Sequence, residues 1–287
     1  MQSVYKSQSK DEIISGITNK TRRKILYLLY QNKIESKDRS YITNISEITK
    51  KLEMSDQALQ KHLSVLLDSD LINKKQNKDK KNSKTIQLTN IGQAIIQQLN
   101  GIEFLEKNKA YFKTHTLSFL PESFVARIGA LKKCKKNSSV PQNIEFTKNI
   151  LENHTKTSYK IIFDQAIVDL YKFGISTIKK NNIKASYIMS KDVDMPKEFI
   201  AVYKKTDESK MIRDGQLQRK MINRANIILC IGNTASMVMF PTNDGRSGMT
   251  AFYDENNDEF QSWCNDLYDN MWGRSNIFME LNIPKGM

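Results

Sequence analysis

Residues 41–88 constrain this chain more than any other stretch. In "YITNISEITKKLEM", Ile42, Ile45, Ile48 and Leu52 recur at helical spacing. Ser55 comes next, and a hydroxyl there can cap the orphan N–H groups of a new helix. In that second helix, "DQALQKHLSVLLDSDLI", the buried stripe falls on Leu59, Leu63, Leu66 and Leu67. Gln57, Gln60, Lys61 and Ser64 fall on the other face. After Leu71 and Ile72 comes "NKKQNKDKKNSK" and then the alternating "TIQLT", which reads as a strand, a basic loop and a returning strand. Helix, tight turn, helix and hairpin in this order describe a winged helix-turn-helix.

Such a shape suits double-stranded DNA. A helix fits the major groove, where Gln pairs with adenine, Lys reaches guanine and Ser accepts either. The hairpin carries Lys74, Lys75, Lys78, Lys80, Lys81 and Lys84 against one acid, Asp79, and that charge belongs beside phosphates. The expected DNA contacts are Ser55, Gln57, Gln60, Lys61 and Ser64 from the helix, with Lys75, Lys78, Lys80, Lys81 and Lys84 from the wing. The plainer alternative is a solvated lysine-rich loop beside a helical pair used for protein contacts.

At 287 residues the chain has room for two domains. Its formal charge is +14 with a pI near 9.5, which favours a polyanionic partner. Residues 1–110 hold 20 Lys and Arg against 12 Asp and Glu, a net of +8, and the remainder carries +6. Charge is therefore denser in the N-terminal third without being confined to it. Cys134, Cys230 and Cys264 are far apart and form neither a disulfide framework nor a zinc signature. They read as reduced thiols in a cytosolic compartment. "MQSVYKSQSKDEI" has no apolar core and does not resemble a signal peptide, and no apolar run reaches membrane-spanning length. The expectation is a cytoplasmic, nucleoid-associated protein without a membrane partner.

Three regions are expected: a winged helix-turn-helix domain over 8–100, a helical linker or dimerisation segment over 101–145, and a mixed α/β domain over 146–287. Together they make an α+β chain. Thr18 or Asn19 is placed to cap the first long helix, which holds Ile25, Leu26, Leu28 and Leu29. Arg22, Arg23 and Lys24 in its first turns are either DNA-backbone contacts or ordinary solvent charges. Thr89 caps a helix bearing Ile91, Ile95, Ile96, Leu99, Ile102 and Leu105, with Gly101 as a candidate bend or break. Phe124, Ile128 and Leu131 mark a short amphipathic helix, and "KKCKKNSSVPQN" a turn or hinge. Beyond Thr147, "YKIIFD", "NIKASYIMS", "NIILCIG", "ASMVMFPT" and "GMTAFYDE" read as strands among helices, closed by the amphipathic "DEFQSWCNDLYDNMWGRS".

The N-terminal third resembles ArsR-type winged-helix regulators. Three later pieces, "FKTHTLSFLPESFVARIGALKKC", "ASMVMFPTNDG" and "FQSWCNDLYDNMW", resemble the C-terminal domain of archaeal regulators of the methanogenesis regulatory protein type. The resemblance implies a transcription regulator with an accessory sensing or dimerising domain, distantly similar to the phospholipase-D-like fold. Catalysis in that fold needs His-x-Lys with a later Asp. Here His154-Thr155-Lys156 meets only the first part, Ile161 stands where the Asp would fall, and there is no second copy.

His62, His115 and His154 make no metal constellation, and no glycine loop has phosphate-cradling spacing. No cofactor, no metal and no enzymatic activity are therefore expected. His115 reads as a structural histidine in a turn, and Trp263 and Trp272 as core. The expected function is a sequence-specific, homodimeric transcriptional regulator. Arg213, Arg219, Arg224 and Arg246 are candidates for a small anionic effector, because guanidinium binds carboxylate or phosphate bidentately. The alternative is a protein-interaction or non-specific chromatin-binding protein without an effector.

Overall fold

The computed structural model of the chain describes residues 11–35, 43–76, 84–191, 193 and 196–277. The chain divides into two compact units, Met1–Asn100 and Gly101–Met287. The first holds α1 (Asp11–Thr18), α2 (Lys20–Glu35), β1 (Thr43–Asn44), α3 (Ile45–Leu52), α4 (Asp56–Asp68), β2 (Ile72–Gln76) and β3 (Lys84–Leu88), and α5 (Asn90–Lys107) begins in it. The three strands form an antiparallel sheet in the order β1-β3-β2.

Three helix starts in this unit, those of α2, α4 and α5, are set by side-chain caps. Asn19 Oδ1 accepts from the N–H groups of Thr21 and Arg22 at 2.9 and 3.2 Å. Ser55 Oγ accepts from Ala58 N–H at 3.3 Å, and Thr89 Oγ1 from Gly92 N–H at 2.9 Å. Each satisfies a donor that the helix itself cannot. Between α3 and α4 the chain reverses at Glu53, which sits in the left-handed region at φ 51°, ψ 45°. Ile25, Leu26, Ile48, Leu59, Leu63, Leu66, Ile86 and Ile96 form the core beneath. Gly92 lets α5 start against the β2 turn: a Cβ there would lie 2.1 Å from the Leu71 carbonyl oxygen.

The second unit contains α6 (Glu122–Ala126), β4 (Lys135–Asn137), α7 (Val140–Asn153), β5 (Ser158–Phe163), α8 (Val168–Lys180), β6 (Lys184–Ser190), α9 (Lys197–Tyr203), α10 (Glu208–Arg213), β7 (Leu217–Ile222), β8 (Ile228–Ile231), β9 (Ala235–Met239), β10 (Ala251–Glu255), α11 (Asp258–Arg274) and β11 (Asn276–Ile277). Its eight-stranded sheet runs β11-β7-β6-β5-β8-β9-β10-β4. β5, β6 and β7 are mutually parallel, and the remaining pairings are antiparallel.

Side chains alternate across the sheet and feed two cores. Ile162, Ile188, Leu229, Val238, Phe240 and Phe252 pack with Phe260, Trp263 and Leu267 of α11. Tyr159, Tyr187, Met189, Cys230 and Met237 point the other way, toward Ile150 and Leu151 of α7 and Ile178 of α8. The fold is thus winged helix plus mixed α/β, as the residue pattern implies.

Several elements differ from expectation. Residues 101–145, read as a linker or dimerisation segment, supply Phe104, Tyr111, Phe124, Ile128 and Leu131 to the α11-side core, and β4 to the sheet. α5 runs unbroken through Gly101. Phe124, Ile128 and Leu131 lie on α6 and a following 3-10 turn rather than on one helix. The polar run with Pro141 opens α7, because proline is tolerated in a first helical turn, where its missing N–H costs nothing.

Glu53 carries a Cβ in a conformation that suits glycine. Replacing Glu53 with Gly should raise stability by about 0.5–1 kcal/mol, read from the midpoint of urea unfolding.

Candidate nucleic-acid interface

α4 has two unlike faces. Leu59, Leu63 and Leu66 are fully buried, while Gln57, Gln60, Lys61 and Ser64 are all exposed. Spacings of three and four residues put that exposed set within a little over a quarter turn. Ser55 is exposed at the start of the helix, where its Oγ is the cap. Ser64 also donates to Asp68 Oδ2 at 3.3 Å. Asp56, Lys61 and Asp68 are all exposed, so the helix itself carries no excess of positive charge. His62 is half-buried, as a position flanking the leucine stripe requires.

The hairpin of β2 and β3 is present, in register from Ile72↔Leu88 to Gln76↔Lys84. Lys74 is exposed. The backbones of Lys75 and Lys84 pair at the far end of the ladder, Lys75 with Thr85 and Lys84 with Gln76. Lys78, Lys80 and Lys81 lie outside the described residues. Lys24 and Lys51 line a polar crevice beside the Leu52–Met54 reversal, a feature that sequence reasoning passed over. Two arginines of α2 have work that sequence reasoning did not foresee. Arg22 donates to the Gly16 and Ser15 carbonyls at 3.1 and 2.6 Å, and Arg23 to those of Ile17 and Thr18 at 2.9 Å. They satisfy the C-terminal carbonyls of α1.

In the second unit the four candidate effector arginines part company. Arg213 is exposed at the end of α10. Arg219 belongs to a buried network: its Nη1 lies 2.9 Å from Glu208 Oε1 and 2.5 Å from Tyr203 Oη. Tyr187 Oη donates to Glu208 Oε1 at 2.6 Å, and Tyr171 Oη donates to Oε2. Burial, and then the Glu208 charge, push both tyrosine hydroxyls well above the ordinary tyrosine value, which keeps them protonated donors.

Only Arg224 and Arg246 come together. They line a crevice with Asp164, Gln165, Ser190 and Ser247, beyond the carboxyl ends of β5, β6 and β7. That is where open α/β sheets take up ligands. The crevice is charge-balanced: Asp244 pairs with Arg246 at 3.4 Å, and Asp164 accepts from Ser247 Oγ.

The remaining candidates are structural. His115 stacks on Tyr111 with ring centroids 3.8 Å apart. Trp263 is buried and donates to the Phe124 carbonyl at 3.1 Å. His154 ends α7, and its Nδ1 lies 3.0 Å from Thr234 Oγ1. It stands at the amino end of β5, opposite the arginine crevice. Lys156 beside it is exposed, and Ile161 faces the apolar interior. Among the described residues no group of three His, Cys, Asp or Glu could hold a metal ion, and no helix is long and apolar enough to cross a membrane. All three cysteines are buried, and burial pushes the Cys230 thiol up to about 12.

No protein-family model matches the sequence, and no curated protein does. Among solved structures, the chain is similar to TrmBL2, described as an archaeal chromatin protein with a novel mode of DNA binding. Identity is 13%, over 94% of this chain and 100% of that one, with a TM-score of 0.40. HlyU of Vibrio cholerae matches 33% of this chain and 97% of its own at 22% identity, TM-score 0.26. Nuc of Salmonella typhimurium, a phospholipase D family member, matches 47% of this chain and 89% of its own at 12% identity, TM-score 0.34. At these values the likenesses decide neither ligand nor activity.

The Glu208 network separates a structural arginine from an exposed one. Glu208→Ala would take the carboxylate from the half-buried Arg219 and the acceptor from the buried Tyr187 hydroxyl, a loss of about 1–3 kcal/mol. Arg213→Ala should stay within about 0.5 kcal/mol of the parent chain. Chemical unfolding of the two variants side by side checks both values.

Proposed function

We propose that this protein is a sequence-reading, DNA-binding transcriptional regulator that works as a homodimer. α4 enters the major groove, and the β2–β3 hairpin rests on the phosphate backbone. The observation that carries this reading is the two-faced α4. It has 13 residues, is about 20 Å long at about 1.5 Å per residue, and presents Gln57, Gln60, Lys61 and Ser64 outward over a fully buried leucine stripe. Amide and ammonium side chains on such a face match the donor and acceptor edges of base pairs.

Phosphate affinity falls to the lysines of the hairpin, with Lys24 beside the turn, because α4 itself carries Asp56 and Asp68 against Lys61 and Lys51 is paired with Glu47 at 3.0 Å. Dimerisation is supported by α5, where Ile91 and Ile102 are 48% and 59% exposed and lie eleven residues apart, close to three full turns, on one stripe. Two-fold symmetry then predicts half-sites about 34–36 Å apart. The second unit serves dimerisation or effector sensing, and Arg224 with Arg246, the pair that shares a crevice, is the candidate for an anion, which would compete there with the Asp164 and Asp244 carboxylates. The protein acts by binding rather than by catalysis.

A second reading, non-specific DNA coating or protein interaction, draws on the same balanced charge of α4. Fluorescence anisotropy on genomic fragments and on the site enriched from them separates the readings. Lys80→Ala with Lys81→Ala should weaken all sequences about equally and flatten the log–log salt slope by about one unit per lost contact. An unchanged slope removes the wing from the interface. Gln60→Ala should instead relax preference at particular base pairs, at about 1–3 kcal/mol each. A uniform loss across sequences counts against direct readout and for coating.

A further inference from the structure

The two faces of the second unit's sheet are not filled alike. On the face covered by α7 and α8, a cavity of about 100 Å³ persists between α8 and the strands. Tyr159, Ile161 and Phe163 of β5 wall it on one side, and Leu170, Phe173 and Ile178 of α8 on the other. No charged side chain lines it. Tyr171 and Tyr187 also contribute to the wall, but both hydroxyls are spent on Glu208. Thr147 and Ser186 are likewise engaged, with the Asn143 carbonyl and the Tyr268 hydroxyl, which leaves the Gln165 amide as the uncharged polar group at the edge. A neighbouring cavity of about 70 Å³ shares Ile161, Phe163 and Leu170 with it, which lengthens the apolar space toward Met237 and Met239.

Gly174 stands at the edge of this space. It lies in the middle of α8 and lines the cavity, and a Cβ built on it meets nothing within 4 Å. Glycine weakens a helix interior relative to alanine. Here both helix propensity and available room favour a side chain, and the chain has none. Along α8 the buried residues are Thr177 and Ile178, so its amino-terminal half covers the cavity without sealing it. An apolar cavity of this order can take up small apolar molecules: an enclosed, engineered one of about 150 Å³ holds benzene. An ionised guest would lose its hydration with no partner in return.

We propose that the cavity beneath α8 is a binding site for a small, neutral, largely apolar molecule about the size of one aromatic ring, admitted beside Gly174. The class differs from the anionic effector that the arginines suggest. It also stands apart from the DNA reading, since a chain that ignores DNA would still take up such a guest.

Toluene and benzoate, one ring without and with a charge, are the probes, used on the full chain. Titration calorimetry and thermal unfolding should show saturable binding and a raised Tm with toluene, and neither with benzoate. Gly174→Leu should raise the Tm of the free protein and weaken toluene at least tenfold. Gly174→Ala, which adds one methyl group where there is room, should do the same to a smaller degree and covers the case in which the larger variant does not fold. Methyl resonances of Ile161 and Ile178 should shift with toluene in the parent chain. No saturable binding of toluene, equal binding to the parent and Gly174→Ala chains, or shifts confined to methyl groups elsewhere would overturn the assignment. So would benzoate binding as tightly as toluene.

Discussion

Each side chain in the central strands of the second unit has to find its place in one of two cores, because helices cover both faces of the sheet. β5 shows the constraint at its sharpest. Ile162 goes to the α11 side and Tyr159 to the α7–α8 side, while Lys160 escapes only by reaching Asp269 on α11 at 2.8 Å. A one-residue slip would exchange the two sets and bury the lysine among methionines and tyrosines. The parallel register β5–β6–β7 in turn positions both hollows of this unit, the crevice of Arg224 and Arg246 at the carboxyl ends and the cavity under α8 on one face.

Much of this was legible because it is local. Ser55 and Thr89 announce helix starts through their own side chains, as does Asn19 of the pair Thr18 and Asn19, and each accepts from a first-turn N–H. The leucine stripe of α4 and the alternation in "TIQLT" need only period and burial to be read. What escaped depends on partners distant in sequence. Glu208 looks like any surface acid until Tyr171, Tyr187 and Arg219 converge on it from α8, β6 and β7. Arg213, Arg219, Arg224 and Arg246 are near one another in the chain, yet β7 and the turns around it send them to three places. Residues 101–145 read as a linker or dimerisation segment, and only the sheet gives Phe104, Tyr111 and Phe124 a common core. α7 hid behind Pro141, which reads as a stop in isolation and as a start once the strand before it is known. The mid-helix Gly174 was visible but had no meaning without the space around it.

The two units distribute electrostatics in a way that net charge conceals. Residues 1–110 and the remainder are similarly basic overall, at +8 and +6, so bulk charge does not single out an interface. Local arrangement does. On α2, Arg22 and Arg23 are consumed by the carbonyls of α1. On α4, Asp56 and Asp68 offset Lys61. In the second unit, Lys160 and Arg219 are held by Asp269 and Glu208. The lysines of the hairpin sequence, with a single aspartate among them, are a dense cationic run not answered by nearby acids in the sequence, as are Lys132, Lys133, Lys135 and Lys136 in the second unit. If DNA is the partner, affinity and readout are then carried by different elements. The hairpin supplies a salt-sensitive hold that any duplex satisfies. The nearly neutral face of α4 adds little to that hold and has mainly hydrogen-bond geometry to offer. The hold of the hairpin is common to right and wrong sequences and cancels in their difference, so discrimination rests on the base contacts of α4 alone.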